Sequence, residues 1–191
     1  MSMSLDGFVA DRNDGVGEVF DWYFSSGDAE FHAGGADPMT FKLSEASAAH
    51  IRSLWSELGA VLTGRRTFDV AGGWGGNHAW GPAFVVTHQI PEGWPRPDST
   101  VHFVTDGIES AVLQAKAAAN GKAVGVHGAD TIQQLLKAGL LDELSIDVVP
   151  LLLGSGVRLF DNLADVPVVL GNPKVIAGVG VTHLRYPVRK A

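Results

Sequence analysis

Five apolar runs, most of them closed by a turn of small or polar residues, constrain this chain more than any other feature. They cover 60–63, 83–87, 101–105, 123–126 and 144–153. Continuous apolar runs bounded by turn residues read as strands buried on both faces. Helical patterns lie between them. Over 44–58, Ile51, Leu54, Trp55 and Leu58 share one face, Ser44 can cap the start and Gly59 can stop the end. A short helix is expected over 65–70, and an Ala-rich one over 108–120 closed by Asn120-Gly121. Over 130–138, Ile132, Leu135 and Leu136 face inward. After Gly154-Ser155-Gly156 only strand patterns follow, at 166–170, 174–177 and 179–186. Strands that alternate with helices and then follow one another predict an α/β fold. Its central sheet is mainly parallel, with helices on both faces and an antiparallel edge at the C-terminus. No repeat or linker interrupts the pattern, so a single domain over 1–191 is expected.

Two segments resist this reading. Residues 1–9 alternate weakly and suggest a short first strand entering an Asp6-Gly7 turn. Residues 11–40 are irregular, rich in Gly and Asp, and carry Phe20, Trp22, Tyr23, Phe24 and Phe31. They are either a functional segment or a surface excursion pinned by its aromatics. A Gly/Trp loop is expected over 71–81 and a proline-rich connection over 91–97.

Composition excludes several classes of function. There are no cysteines, which rules out disulfides, thiolate catalysis and Cys-ligated zinc, and fits a cytoplasmic protein. A formal net charge of −7 is poorly suited to a nucleic-acid backbone, which needs a basic stripe. No apolar run approaches the roughly 18–20 residues that span a bilayer, and the first residues show no signal-peptide pattern.

The strand ends carry the candidate chemistry. In Leu62-Thr63-Gly64-Arg65-Arg66-Thr67 a buried strand stops at a glycine, and two arginines and a threonine open a helix. Free N–H groups and forked cations there suit a phosphate, although a solvated arginine pair with a threonine cap fits the spacing as well. Val126-His127-Gly128-Ala129-Asp130-Thr131 repeats the arrangement, with small residues that let a pyrophosphate approach the backbone. Thr87-His88 ends a third strand and either meets a ribose or caps a turn. Asp6 either bonds a polar substrate or belongs to an ordinary Asp-Gly turn. Asp21, Asp28, Glu30 and His32 are either substrate contacts beside an aromatic wall or a solvated acidic loop.

The seven histidines fall in no metal-binding spacing, so no metal site is expected. G-x-S-x-G, Walker A and first-turn G-x-G-x-x-G motifs are absent. A dinucleotide would therefore be held without a standard Rossmann loop.

In chain order, several motifs carry a resemblance. They are Ser4-Leu5-Asp6-Gly7, Thr63-Gly64-Arg65-Arg66-Thr67, Val126 to Thr131, Asp142-Glu143-Leu144, Val149-Pro150-Leu151-Leu152-Leu153-Gly154-Ser155-Gly156 and Leu159-Phe160. Together they resemble the dihydrofolate-reductase-like family that includes the reductase domain of bacterial riboflavin biosynthesis. The resemblance implies a three-layer fold and an NADPH-dependent reductase of a pyrimidine- or pterin-type compound. It implies that Gly64, Arg65, Arg66 and Thr67 meet the cofactor's phosphates, and that Thr87 and His88 lie near the adenosine ribose and its 2′-phosphate. His127, Gly128, Ala129, Asp130 and Thr131 would cradle the pyrophosphate.

By the same resemblance Asp6, the candidate catalytic residue, and Gly7 lie near the nicotinamide and substrate. Gly154 to Arg158 border the substrate side, and Arg158 is the candidate partner for a substrate phosphate; Asp21, from the irregular segment, is the candidate substrate contact there. The family pairs through its sheet edges, so a homodimer is expected. The chain departs from the family in having His127-Gly128-Ala129 where two adjacent glycines are common, and in the long segment after the first strand. Two other readings stay open: reduction of an unrelated small carbonyl or imine compound, and a non-catalytic nucleotide-binding dimer.

Overall fold

The structure is a computed structural model that describes residues 1–32, 39–163 and 167–190. The chain opens with β1 (Ser2–Ser4), β2 (Phe8–Ala10), α1 (Gly17–Phe20), α2 (Trp22–Ser25), β3 (Ala29–His32), β4 (Thr40–Leu43) and α3 (Glu45–Ser56). Next come β5 (Leu58–Gly64), α4 (Arg65–Val70), a 3-10 segment at Gly72–Gly76, β6 (Ala83–Val86), β7 (Val101–Val104), α5 (Ile108–Ala118), β8 (Ala123–Val126) and α6 (Ala129–Lys137). It closes with β9 (Glu143–Val149), β10 (Val157–Arg158), β11 (Lys174–Ala177) and β12 (Thr182–Pro187). No helix among the described residues is long and apolar enough to cross a membrane.

The chain divides into two compact units. One comprises Met1–Phe31, Thr40–Arg52 and Ile132–Ala191, and the other His32–Met39 and Ser53–Thr131. The second unit holds a wholly parallel four-stranded sheet in the order β7-β6-β5-β8. Its strands are the apolar runs read from the sequence. Val61, Phe68, Ala83, Val85 and Val101 form its core, walled by Trp74, Trp80, Trp94 and Phe103. The first unit holds a mixed sheet in the order β1-β9-β12-β11, parallel between β1 and β9 and antiparallel from there to β11. The α/β class, the parallel strands and the antiparallel C-terminal edge all match the sequence reading. The ladders themselves are split between these two sheets and two smaller two-stranded ones, β10-β2 and β3-β4.

Several boundaries differ, for physical reasons. Ser44 does cap α3, accepting the Ser47 N–H at 3.3 Å. The helix ends at Ser56, however, and Leu58 already pairs with Ala123 in β8. Gly59 is not a helix stop. It lies in β5, where a Cβ would press on the Ala119 carbonyl and come within 2.9 Å of the Lys122 side chain. The run over 144–153 leaves the ladder after Val149, because Pro150 has no N–H to offer. The strand expected over 179–186 begins at Thr182, after a turn in which Gly180 takes φ +67.

Of the strand expected over 166–170, Val166 lies outside the described residues, and Leu170 makes only an isolated bridge with Val188. Part of the irregular segment over 11–40, at 33–38, also lies outside them. The rest folds into α1, α2 and β3, pinned by aromatic stacking. Trp22 and Tyr23 are stacked at 3.8 Å, and Tyr23 meets Phe41 at 4.8 Å.

Candidate functional site

Three of the strand-end turns named from the sequence stand side by side. In the parallel sheet β5 lies between β6 and β8, with Gly64 opposite Val86 and Leu62 opposite Val126. The turns at Thr87-His88, Gly64-Arg65 and His127-Gly128 therefore leave adjacent strands at one carboxyl edge. That edge is where open parallel sheets bind ligands.

Gly128 is the tightest point. It takes φ +90, and a Cβ there would come 2.7 Å from Thr67 Oγ1, 3.7 Å from Thr131 Oγ1 and 3.8 Å from Thr63 Oγ1. A Cβ on Gly64 would meet Thr131 Oγ1 at 3.0 Å. The two glycines thus open onto threonine hydroxyls. Thr63 Oγ1 donates to the His127 carbonyl at 3.2 Å and joins the two turns. Such a lining of bare backbone and hydroxyls suits an anionic, oxygen-rich group.

The cations behave differently from the sequence expectation. Helix α4 is only six residues long, so its dipole offers little, and charge at this edge comes from the arginines themselves. Arg65 Nε bonds both Asp69 carboxylate oxygens, at 2.8 and 2.9 Å, and an Arg65 Nη1–H donates to the Gln89 carbonyl at 3.1 Å. Arg65 is therefore held in place and partly neutralised, whereas Arg66 is exposed. Thr87 Oγ1 donates to the Gln89 carbonyl at 2.8 Å, which makes it a local turn lock, and His88 is exposed. Ala129 is buried, and Asp130 sits exposed in the first turn of α6, where its carboxylate already complements the helix dipole.

His127, expected from the sequence with the pyrophosphate cradle, turns its ring into an aromatic cluster. Its ring stacks on Trp80 at 4.4 Å and meets His78 edge-on at 5.4 Å. Burial, then the like charge of His78, lowers its pKa to about 3, and burial lowers His78 to about 4. Both rings are neutral near pH 7. The enclosed Trp80 Nε1 and His127 Nε2 have no hydrogen-bond partner among the described residues.

In the first unit, Asp6 closes a frame around the loop after β9. Its carboxylate accepts from Ser4 Oγ at 2.6 Å, the Leu153 N–H at 3.1 Å and the Gly154 N–H at 2.7 Å. The Ser4 hydroxyl and these backbone amides hold its pKa below the ordinary carboxylate value, so it is ionised at neutral pH. Gly7 takes φ +92, and its carbonyl accepts the Leu159 N–H at 3.0 Å. β10 pairs with β2, and Arg158 lies over the Phe8 ring at 4.6 Å. Arg12 Nε donates to Ser155 Oγ at 2.8 Å. Asp6, Gly7, Gly154 and Arg158 thus share one framework. Asp21 does not join it. It is an exposed hinge between α1 and α2, and the neighbouring Trp22 and Tyr23 are the side chains that turn inward.

Local spacing showed no metal set, yet the fold gathers His50, Asp147 and His183, with one potential ligand atom from each within 4.8 Å of the others. Residues so far apart in the chain leave no signal in any motif.

The RibD C-terminal domain family matches residues 1–184. The chain belongs to this family. A solved structure from Shewanella sp. PV-4, assigned to riboflavin biosynthesis, superposes with a TM-score of 0.67 at 24% identity, covering 98% of this chain and 96% of its own. The riboflavin biosynthesis reductase of Saccharomyces cerevisiae gives 0.58 at 16%, covering 98% of this chain and 86% of its own. The deaminase/5-amino-6-(5-phosphoribosylamino)uracil reductase of Thermotoga maritima gives 0.59 at 10%, over 98% of this chain and 54% of that longer protein. The RibD-type chain thus has the dihydrofolate-reductase-like fold that these structures share. No curated protein matches it significantly.

Proposed function

We propose that this RibD-family chain is an NADPH-dependent reductase of a pyrimidine- or pterin-type compound, acting as a single reductase domain. The observation that carries the reading is the glycine and threonine cradle at the carboxyl edge of the parallel sheet. At Gly128 the backbone is bare, in a conformation that side chains rarely adopt, and faces the hydroxyls of Thr63, Thr67 and Thr131. A pyrophosphate needs that close approach.

Gly64, Thr67, Gly128, Ala129 and Thr131 would hold the pyrophosphate, with Asp130 contributing its backbone rather than its carboxylate. Arg65 and Arg66 would supply charge for a 2′-phosphate, and Thr87 and His88 would border the ribose. When bound, NADPH supplies a hydride from its nicotinamide ring. His127, neutral and stacked on Trp80, fixes the turn that presents Gly128.

The framework of the first unit serves the acceptor. Asp6 is ionised and committed to backbone amides, so its role is to fix the Leu153-Gly154 loop and offer an anionic acceptor rather than to donate a proton. Arg158, braced on Phe8, is placed to meet a phosphate or another anionic substituent. Pairing as a homodimer is supported by the edge strand β11, whose Val175 is 57% exposed, and by Val179 in the turn after it, 59% exposed. Sedimentation tests that pairing.

NADPH oxidation followed at its near-ultraviolet absorbance, with ribosylaminopyrimidine phosphates and pteridines as acceptors, tests the function. Turnover of one of these classes supports the reading. Turnover only of simple carbonyl or imine compounds would move the substrate elsewhere. Tight NADPH binding with no turnover would make the chain a nucleotide-binding protein.

A further inference from the structure

A second constellation lies in the first unit and plays no part in the reductase reading. Ser2, Asp147 and His183 sit opposite one another across β1, β9 and β12. Asp147 and His183 are 3% and 1% exposed. His183 Nδ1 lies 2.6 Å from Asp147 Oδ1, and His183 Nε2 lies 3.0 Å from Ser47 Oγ on α3. One turn further along α3, His50 brings its ring to 4.5 Å from that of His183. His50 is 7% exposed, and its Nε2 is enclosed with no hydrogen-bond partner among the described residues.

An enclosed polar atom left without a partner destabilises a fold, and His50 differs from the other such groups in lying beside a buried carboxylate and a second imidazole. The hydrophobic alternative was open at this position on α3, where Ile51 and Ala48 are equally buried. Two imidazoles and a carboxylate are the donor set of borderline transition ions, with zinc, cobalt and nickel foremost.

We propose that His50, Asp147 and His183 form a binding site for one divalent transition-metal ion of the zinc class. The three donor atoms lie within 4.8 Å of one another, and a tetrahedral site at ordinary bond lengths needs them about 3.4 Å apart. The remaining closure is small side-chain rotation. Asp147 Oδ1 and His183 Nδ1 are already close enough and need to part slightly to admit the ion.

A simple proton balance accompanies binding. The proton shared by His183 Nδ1 and Asp147 moves to His183 Nε2, where Ser47 Oγ accepts it. The freed Nδ1 lone pair then faces the ion. Ser47 becomes the outer partner that fixes the ring, as metal-bound histidines require. His50 gives a ring-nitrogen lone pair to the ion, and its enclosed Nε2 has no hydrogen bond among the described residues to give up. The fourth position is open to water or to a small anion.

Metal binding to the whole chain tests the proposal directly, without reference to activity. Co2+ is titrated into the chelator-treated protein, its visible d–d absorption is recorded, and Zn2+ is competed against a chromophoric chelator. The expected result is one equivalent of ion, with tetrahedral-type absorption displaced by Zn2+. His50→Ala, which removes no internal hydrogen bond of Nε2, is expected to fold and to weaken this site at least a hundredfold. His102→Ala, an exposed histidine on β7, is expected to leave it unchanged. Absence of a stoichiometric site in the wild-type chain overturns the proposal, and so does binding of equal strength in His50→Ala. Asp147→Asn gives a second reading, provided its circular dichroism matches the wild type, and is expected to lose the site as well.

Discussion

A Cβ on Gly128 would stand 2.7 Å from the hydroxyl oxygen of Thr67. Nothing but glycine fits that turn without a shift of backbone or side chain, and φ +90 adds strain to any replacement. Gly128→Ala is therefore expected to cost about 1–3 kcal/mol of stability. It is also expected to weaken NADPH at least tenfold, because the methyl group occupies the phosphate cradle. Thermal unfolding and cofactor fluorescence titration check the two effects separately.

Arg65 and Arg66 open α4 at the edge where the cofactor phosphates are proposed to lie. Arg65→Ala and Arg66→Ala should each weaken NADPH by roughly ten- to a hundredfold, the worth of about 1.5–3 kcal/mol in a charged hydrogen bond, and weaken NADH much less. Asp69→Asn releases Arg65 from a competing carboxylate, so NADPH binding should tighten. Equal losses of NADPH and NADH in the arginine variants would place these side chains at the pyrophosphate instead.

Asp6 holds the Leu153 and Gly154 amides and is ionised. Asp6→Asn is expected to raise KM for the acceptor severalfold. The shape of the pH–rate profile near neutrality should not change. Loss of one limb of that profile would instead make Asp6 a proton-transfer group.

The partly buried His127 and His78 make stability fall on the acid side. His127 and His78 are lowered to about 3 and about 4, from ordinary values near 6.5. Their folded-state pKa values lie below the unfolded ones, so protonation favours the unfolded chain. Their contribution is fully present above about pH 6.5 and is lost as pH falls toward the folded values, by up to about 1.4 kcal/mol per pH unit for each ring. Urea unfolding between neutral pH and pH 5 checks this, and His127→Asn should flatten the slope. A chain equally stable over that range would mean that these rings are solvated.

Two glycines in one loop give a contrast. Gly156 takes φ +147, and a Cβ there would collide with the Ala10 carbonyl oxygen, whereas a Cβ on Gly154, at φ +72, meets nothing within 4 Å. Gly156→Ala should lower Tm by several degrees and break the pairing of β10 with β2. Gly154→Ala should cost only its backbone strain, about 1 kcal/mol. Similar losses in both variants would mean that the loop relaxes around either methyl group.

The division between what was legible and what was not follows the range of the forces. Buried strands and amphipathic helices write themselves into contiguous residues, so the runs at Val61, Phe84, Val101 and Val124 and the helix carrying Ile132, Leu135 and Leu136 were readable. So were the turns that end them, because glycine and proline act on their own backbone. The irregular 11–40 segment was not legible, since α1 and α2 are four residues each and are held by Trp22, Tyr23 and Phe41 rather than by periodicity.

By itself, the sequence determined an α/β chain whose strand ends carry Gly64-Arg65-Arg66-Thr67 and His127 to Thr131. Only the tertiary structure decided that β6, β5 and β8 are neighbours, so that those turns share one edge. It also decided that Arg65 is tied to Asp69, that Asp6 is spent on backbone amides, and that His50, Asp147 and His183 meet. Each of these depends on which strands pair and in what register. Pairing is set by long-range burial of side chains that no local pattern encodes.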